Sequence, residues 1–295
     1  MVIPCYPDFT PLTFELAQEV RNLLSQLTDG VSEFTFANLY LFRKRYNYQL
    51  SLNPGTDNLI LSGELNGNKF FLTPKALPAE EILINLLHTH DYWKNIPDSI
   101  VNEHKDTLER LGIEITEDRD QFDYLYMRTD LAELPGKKYH KKRNLVNAFL
   151  NSYSYEVRPL TEELLPHAFL ILDRWRDEKN DAGDYQATRE GLELFSALGM
   201  QGAVYYADGK PAGFCSGEIM LRNTMFAVHF EKGLEMYKGI YQFINQNFAA
   251  SLPEHILYIN REQDLGDEGL RQAKMTYRPC GFVKKHKGEL IRQAV

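Results

Sequence analysis

Apolar residues recur with helical spacing at Phe14, Leu16, Ala17, Val20, Leu23, Leu24 and Leu27. This predicts a helix over 13–27, ended by Asp29-Gly30. A second, aromatic-rich helical stretch follows over 34–45. The pattern then shortens to apolar runs at 48–52, 59–65 and 69–73. Asn53-Pro54-Gly55 and Asn66-Gly67-Asn68 supply the turns between them, so these runs predict successive strands. Helices are expected over 78–90 and 102–111, and strands over 113–116 and 122–128. Residues 131–136 break the alternation, and 137–151 reads as a helical connector. The chain then restarts with a strand over 155–159 and a helix over 161–177. That helix opens with Thr-x-Glu-Glu, close to a capping box. A loop at 181–184 and a helix over 188–198 follow. Asp208-Gly209 marks a hairpin of 203–207 and 210–221. A strand over 224–231, a helix over 239–251 and a strand over 256–260 come next. An acidic loop, one short helix and a final strand close the pattern.

The same order of elements therefore occurs twice, with little residue identity between the copies. The expected fold class is α/β, built as two tandem units over 1–150 and 151–295, with the boundary near 145–155. The competing reading is one continuous α/β domain with a long meander. At 295 residues the chain is long enough for a sizeable core in each half.

Charge and cysteine content narrow the function classes. The net charge of −8 argues against a general nucleic-acid coat, which is usually basic. The three cysteines, Cys5, Cys215 and Cys280, lack metal-ligand spacing and point to free thiols in a reducing compartment. The first ten residues have no basic stretch leading into an apolar one, so no signal peptide is expected. No window approaches the roughly 18 apolar residues that a membrane span needs. These features predict a cytoplasmic protein with at most peripheral membrane contact.

Candidate chemistry gathers in two places. The run Asn260-Arg261-Glu262-Gln263-Asp264-Leu265-Gly266-Asp267-Glu268 follows a strand end, where ligands of open α/β sheets favour binding. Glu262 or Asp264 is suited to accept a proton, and Arg261 to hold a carboxylate or phosphate by paired hydrogen bonds. Asp267 and Glu268 read more simply as a helix entry that complements the helix dipole. The second place is Lys137-Lys138-Tyr139-His140-Lys141-Lys142-Arg143, a basic segment in an acidic chain. If helical, Lys138, Lys141 and Lys142 share a face. With Arg143 they would attract the phosphates of a cofactor, a tRNA or a lipid head group. The bland alternative is a solvated linker. His88-x-His90-Asp91 has metal-ligand composition without the spacing, and no metal site is expected. Trp175 and His229 read as core residues.

The spacing Ala-x3-Tyr-x3-Gly-Phe, at Ala273, Tyr277, Gly281 and Phe282, resembles the closing segment of the GCN5-related acetyltransferase (GNAT) superfamily. The wider 259–282 run, together with Gly136-Lys137-Lys138 and Lys142-Arg143-Asn144, resembles a bacterial family related to the C-terminal domain of phosphatidylglycerol lysyltransferase. The resemblance implies two tandem GNAT-like units with mixed sheets flanked by helices. It implies acyl transfer from a thioester, coenzyme A or acyl-coenzyme A, to an amine or hydroxyl acceptor. Tyr277 would then be the general acid, and backbone N–H groups around Phe230 would hold the tetrahedral intermediate. The superfamily's pyrophosphate loop falls at Met236-Tyr237-Lys238-Gly239-Ile240-Tyr241. Only Gly239 keeps the pattern there, with Lys238 as a substitute charge. The resemblance also carries two alternatives. One is aminoacyl transfer from aminoacyl-tRNA, docked on 137–143, to a lipid or peptidoglycan precursor. The other is a non-catalytic ligand-binding module on a decayed GNAT fold.

Overall fold

The computed structural model describes residues 2–179 and 183–291. Its contacts divide into two compact units. The first comprises the chain up to Asp123, Gln263–Gly266 and the segment from Phe282 onward. The second comprises Tyr124–Glu262 and Asp267–Gly281. This grouping differs from a linear division at 150/151. Residues 124–150 pack with the second unit, and the chain's last strand packs with the first.

The first unit is built on β1 (Thr10–Pro11), β2 (Gln49–Leu52), β3 (Leu59–Leu65), β4 (Asn68–Leu72), β5 (Tyr92–Pro97) and β6 (Ile113–Glu117). Strands β1 to β4 form an antiparallel meander, and β5 joins β4 in parallel. Lys285–Leu290 inserts between β5 and β6, antiparallel to both. The helices are α1 (Ala17–Leu24), α2 (Phe36–Tyr46), α3 (Glu80–Thr89) and α4 (Asp98–Arg110). Leu83, Leu86, Ile100 and Leu108 from α3 and α4 bury their apolar stripes against Phe71, Trp93 and Ile96 of the sheet. The Phe71 and Trp93 rings stack at 5.7 Å. Lys285 is fully buried, yet its ammonium meets Glu33 and, at 2.7 Å, Asp123, and Asp123 also accepts from Ser32. A charge this deep is tolerable only when paired in this way.

In the second unit the strands are β7 (Asp123–Met127), β8 (Tyr155–Pro159), β9 (Gln201–Ala207), β10 (Lys210–Met220), β11 (Met225–Gly233) and β12 (Tyr258–Asn260). Their sheet order runs β7-β12-β11-β10-β9-β8. All neighbours are antiparallel except the β11–β12 pair. The helices are α5 (Arg128–Glu133), α6 (His140–Ser152), α7 (Leu165–Lys179), α8 (Tyr185–Glu193), α9 (Phe195–Leu198), α10 (Ile240–Ser251) and α11 (Glu268–Met275). The β9–β10 hairpin turns at Asp208-Gly209 with positive φ at both residues, as a type I′ turn requires.

Both units are mixed sheets flanked by helices, the tandem GNAT-like α/β arrangement that the resemblance implies. Four local expectations change. Tyr92–Pro97 is a strand, absent from the sequence reading. The expected strand over 122–128 joins the second sheet. The 137–151 segment is a 3-10 turn, Lys137–Tyr139, followed by α6. Thr161 makes no side-chain cap, and a 3-10 turn, Glu162–Leu164, precedes α7. The loop expected at 181–184 lies partly outside the described residues.

Candidate active site

Two features of β11 shape the site. Its parallel ladder with β12 stops at Ala227↔Asn260, while β11 itself runs on to Gly233. Opposite β10, Ser216 pairs with Phe230 and Gly217 with Val228, which leaves His229 as the extra residue of a β-bulge. Bulges re-aim side chains and often flank functional sites.

Glu231, two residues past the bulge, binds Arg261, the first residue after β12, with Nη2···Oε1 at 2.8 Å. The Arg261 amide donates to the Tyr124 carbonyl at 3.0 Å, which anchors the backbone under that side chain. Burial works against the guanidinium charge, and Glu231 more than offsets it, so Arg261 stays ionised. Tyr277, just after α11, is buried, and its ring centre lies 5.8 Å from the guanidinium. Burial raises its phenol well above the ordinary value, partly countered by Arg261, so the group is protonated at every physiological pH. Gln242 on α10 hydrogen-bonds the same side chain. Lys142 reaches in from α6, its ammonium 3.7 Å from the Tyr277 ring centre. Burial first, then the nearby Arg261 charge, lowers its pKa to about 8, against a pull in the other direction from Glu231. One small volume thus holds a fixed ion pair, a protonated phenol and an amine that titrates near neutrality. Groups with such perturbed titration mark candidate functional sites.

Glu262 has a different setting. His229 Nδ1 lies 2.7 Å from Glu262 Oε1, and its Nε2 lies 2.9 Å from Glu218 Oε1. Burial alone would lower the imidazole pKa, but the two carboxylates outweigh it and hold it at about 10. His229 is therefore a charged bridge between two acids, and Glu262 is engaged in that bridge. The linkage sign follows. A group with a raised folded pKa contributes its stability in full below the unfolded value, near 6.5, and loses it as pH rises through about 10. Alkaline unfolding of the native chain should thus outpace that of His229→Leu over this window, measurable by urea midpoints at pH 7 and 10.

The basic segment divides. Lys138 pairs with Asp130 at 3.0 Å, and Arg143 donates to the carbonyls of Leu134 and, at 2.6 Å, Gly136. Leu134 is the left-handed C-cap of α5, so Arg143 satisfies carbonyls that the helix end leaves open. Lys142 turns inward, while Lys137 and Lys141 are exposed. Lys138 precedes α6 and does not extend a helical face.

At the expected pyrophosphate place the chain engages part of its own backbone. Gly239, with φ at 86°, lies against α6, where an added Cβ would stand 2.1 Å from the Leu145 carbonyl oxygen. The amide of Lys238 lies 3.3 Å from the Tyr153 hydroxyl, and that of Ile240 donates to Tyr237 at 3.1 Å. Gly239 thus serves helix packing, and the Lys238 and Ile240 amides are engaged within the chain. Lys238 is exposed, and Phe230 is buried at the bulge. Gly239→Ala is expected to cost about 1–3 kcal/mol by overpacking and backbone strain, read from urea unfolding.

Asp267 caps α11 by accepting from Leu270 at 2.6 Å, the role its position suggested. Asp264 is buried and packs with the first unit, beside Arg119 at 3.5 Å. Among the described residues, no group of three His, Cys, Asp or Glu is placed to hold a metal ion, and no helix is long and apolar enough to cross a membrane. Sequence reasoning missed Glu231 and Gln242, which sit within an ordinary strand and helix pattern and carry no local signal.

The profile described as phosphatidylglycerol lysyltransferase, C-terminal, matches residues 24–285. The chain belongs to that family. Among solved structures, this lysyltransferase-family chain is similar to a conserved protein of unknown function from Bacteroides thetaiotaomicron. The two are 29% identical, with a TM-score of 0.85 over 98% of this chain and 100% of that one. It is also similar to L-PGS from Bacillus licheniformis, at 14% identity and a TM-score of 0.65 over 100% and 96% of the two chains. That second likeness concerns the fold alone. An uncharacterized protein from Mycoplasmoides gallisepticum is 23% identical, across 93% of this chain and 97% of the relative.

Proposed function

We propose that this member of the lysyltransferase family moves an aminoacyl group from the ester of an aminoacyl-tRNA to a hydroxyl or amine acceptor. The observation that supports this most is the cluster of Lys142, Arg261, Glu231 and Tyr277 beside a bulged strand. The acceptor's proton passes to the neutral form of Lys142, whose pKa of about 8 leaves a usable neutral fraction near neutrality. The acceptor oxygen or nitrogen bonds to the ester carbonyl, and backbone N–H groups around Phe230 face the oxyanion that forms. The C–O bond to the ribose then breaks. Tyr277 gives its proton to the departing oxygen and regains one from Lys142, so the proton count closes. A phenol with a raised pKa suits an alkoxide leaving group, which needs its proton more than a thiolate does. Arg261, held by Glu231, lies beside Tyr277 and orients it. Glu262, tied to His229, positions the β11–β12 junction, and Lys142 takes the base role.

The donor choice rests on the loop before α10. Coenzyme A would need free amides there, and the chain's own contacts engage those of Lys238 and Ile240. Acetyl-coenzyme A at millimolar concentration is therefore expected to leave the melting temperature unchanged. A clear upward shift, lost in a Lys238 variant, would restore the thioester reading.

Lys137 and Lys141 are exposed cations of the 137–143 segment and the expected tRNA phosphate contacts, whereas Lys138, also exposed, is paired with Asp130. Replacing each by alanine should weaken tRNA retention for all sequences alike. Each change should also reduce the salt slope by about 1. Filter binding between low and moderate salt reads both effects. Unchanged slopes would place tRNA elsewhere.

A further inference from the structure

The first unit contains a second bulge with a different chemistry. Between β5 and the Lys285–Leu290 strand, Ile96 faces His286 and Trp93 faces Gly288, so Lys94 and Asn95 together oppose Lys287. Asn95 takes a left-handed backbone, φ 51°, and its amide donates to Glu33 at 3.0 Å, which ties the bulge to the buried Glu33–Lys285 pair. A strained, tethered bulge of this kind directs a neighbouring side chain.

That side chain is Lys94, which is only 7% exposed. It lines a cavity of about 400 Å³ together with Leu65, Tyr92, Asp118, Gln121 and Lys287. Its ammonium lies over the rings of Tyr46 and Phe70, at 4.8 and 5.0 Å. Among the described residues, none accepts a hydrogen bond from it and no carboxylate comes within ion-pair distance, although Glu33 and Asp118 attract its charge from farther off. Asp118, in the same cavity, uses its backbone toward Lys285 and Gln121, and its carboxylate has no hydrogen-bonding or ion-pair partner among the described residues. The other charges nearby are matched, Lys287 with Glu289 at 3.1 Å and Glu117 with Lys284 at 2.6 Å. One cavity thus presents an ammonium and a carboxylate that attract each other without direct contact, and neither has a hydrogen-bonding partner for its charge. Buried charge left unpaired is costly, and a bound counter-charge relieves it.

We propose that this cavity binds a free α-amino acid. The ligand carboxylate meets Lys94, its ammonium meets Asp118, and its side chain lies along Leu65 and Tyr92. A simple anion would leave Asp118 unmatched, and a simple amine would leave Lys94 unmatched. The zwitterion satisfies both. The proposal is independent of the donor assigned to the second unit.

The test is thermal unfolding of the full chain with each proteinogenic amino acid at about 10 mM, so that even weak binders register. At least one is expected to raise the midpoint. Its carboxamide and its N-acetyl form, each lacking one charge, should bind at least about tenfold more weakly. Asp118→Asn and Lys94→Met should abolish the shift, while Lys142→Met leaves it intact. Asp118 is only partly buried, so its variant remains informative if Lys94→Met fails to fold. No shift from any amino acid would overturn the proposal. So would full binding by Asp118→Asn, or a shift lost only in Lys142→Met, which would move the amino acid to the second unit.

Discussion

Lys142→Met is expected to lower the transfer rate by about 10²–10⁴-fold and to remove the limb of the pH profile that rises through about pH 8. The expectation rests on the placement of the amine. Burial and the Arg261 charge favour its neutral form, and the ring of Tyr277 lies directly beneath it. Methionine keeps the stem and its packing but removes the titrating group. The variant should also separate catalysis from stability. The native state binds fewer protons than the unfolded chain at this site between about pH 8 and the ordinary lysine value of 10.5. Its contribution to stability therefore rises with pH across that window and is unfavourable below it. Loss of the charge is expected to leave the fold as stable at pH 7, or to stabilise it by up to about 1 kcal/mol once the exposed part of the side chain is discounted. A slow variant with an unchanged or raised urea midpoint and a flat pH profile is the expected signature. A slow variant that retains the pH 8 limb would assign that limb to another group.

Glu231→Leu is expected to destabilise the chain by about 3–5 kcal/mol, the largest stability effect foreseen at the site. Glu231 and Arg261 are both mostly excluded from water, and the arginine stays charged because the carboxylate is there. Removing one partner strands the other. The double replacement Glu231→Leu with Arg261→Met should recover most of the loss, since a matched apolar pair leaves no buried charge behind. Equilibrium urea unfolding of the two single variants and the double variant gives the coupling directly. A small loss in the single Glu231 variant would mean that water or another group solvates Arg261.

The sequence showed the parts of this protein that are local. The Asp208-Gly209 hairpin, the helical stripe of α1 and the Asp267 cap each follow from a few adjacent residues, and the structure has them. The Ala-x3-Tyr-x3-Gly-Phe spacing marks Tyr277 and the polar loop after a strand end marks Arg261, and the structure brings them within one cluster. What was hidden is non-local. Lys285–Leu290 pairs with strands about 170 and about 190 residues earlier in sequence, and strand pairing carries no short-range mark of its partner (roughly, any apolar alternation will do). His229 was read as a satisfied core residue. That it is satisfied by two carboxylates could not be seen, because Glu218 and Glu262 come from different segments. The basic segment shows the limit most sharply. Five cations in seven residues look alike as letters. In the fold, Arg143 closes a helix end, Lys138 pairs with Asp130, and Lys142 alone turns toward Tyr277.

The most direct measurement is single-turnover transfer with the amino acid carried as a radiolabel, supplied either as its tRNA ester or as its coenzyme A thioester, with phospholipid and simple amines as acceptors. The ester of tRNA is expected to give labelled product, with Tyr277→Phe slowed about 10²-fold or more and the thioester inert. Product from the thioester alone, or from the tRNA ester at the same rate in Tyr277→Phe and Lys142→Met, would contradict the assignment of this cluster as an aminoacyl-transfer site.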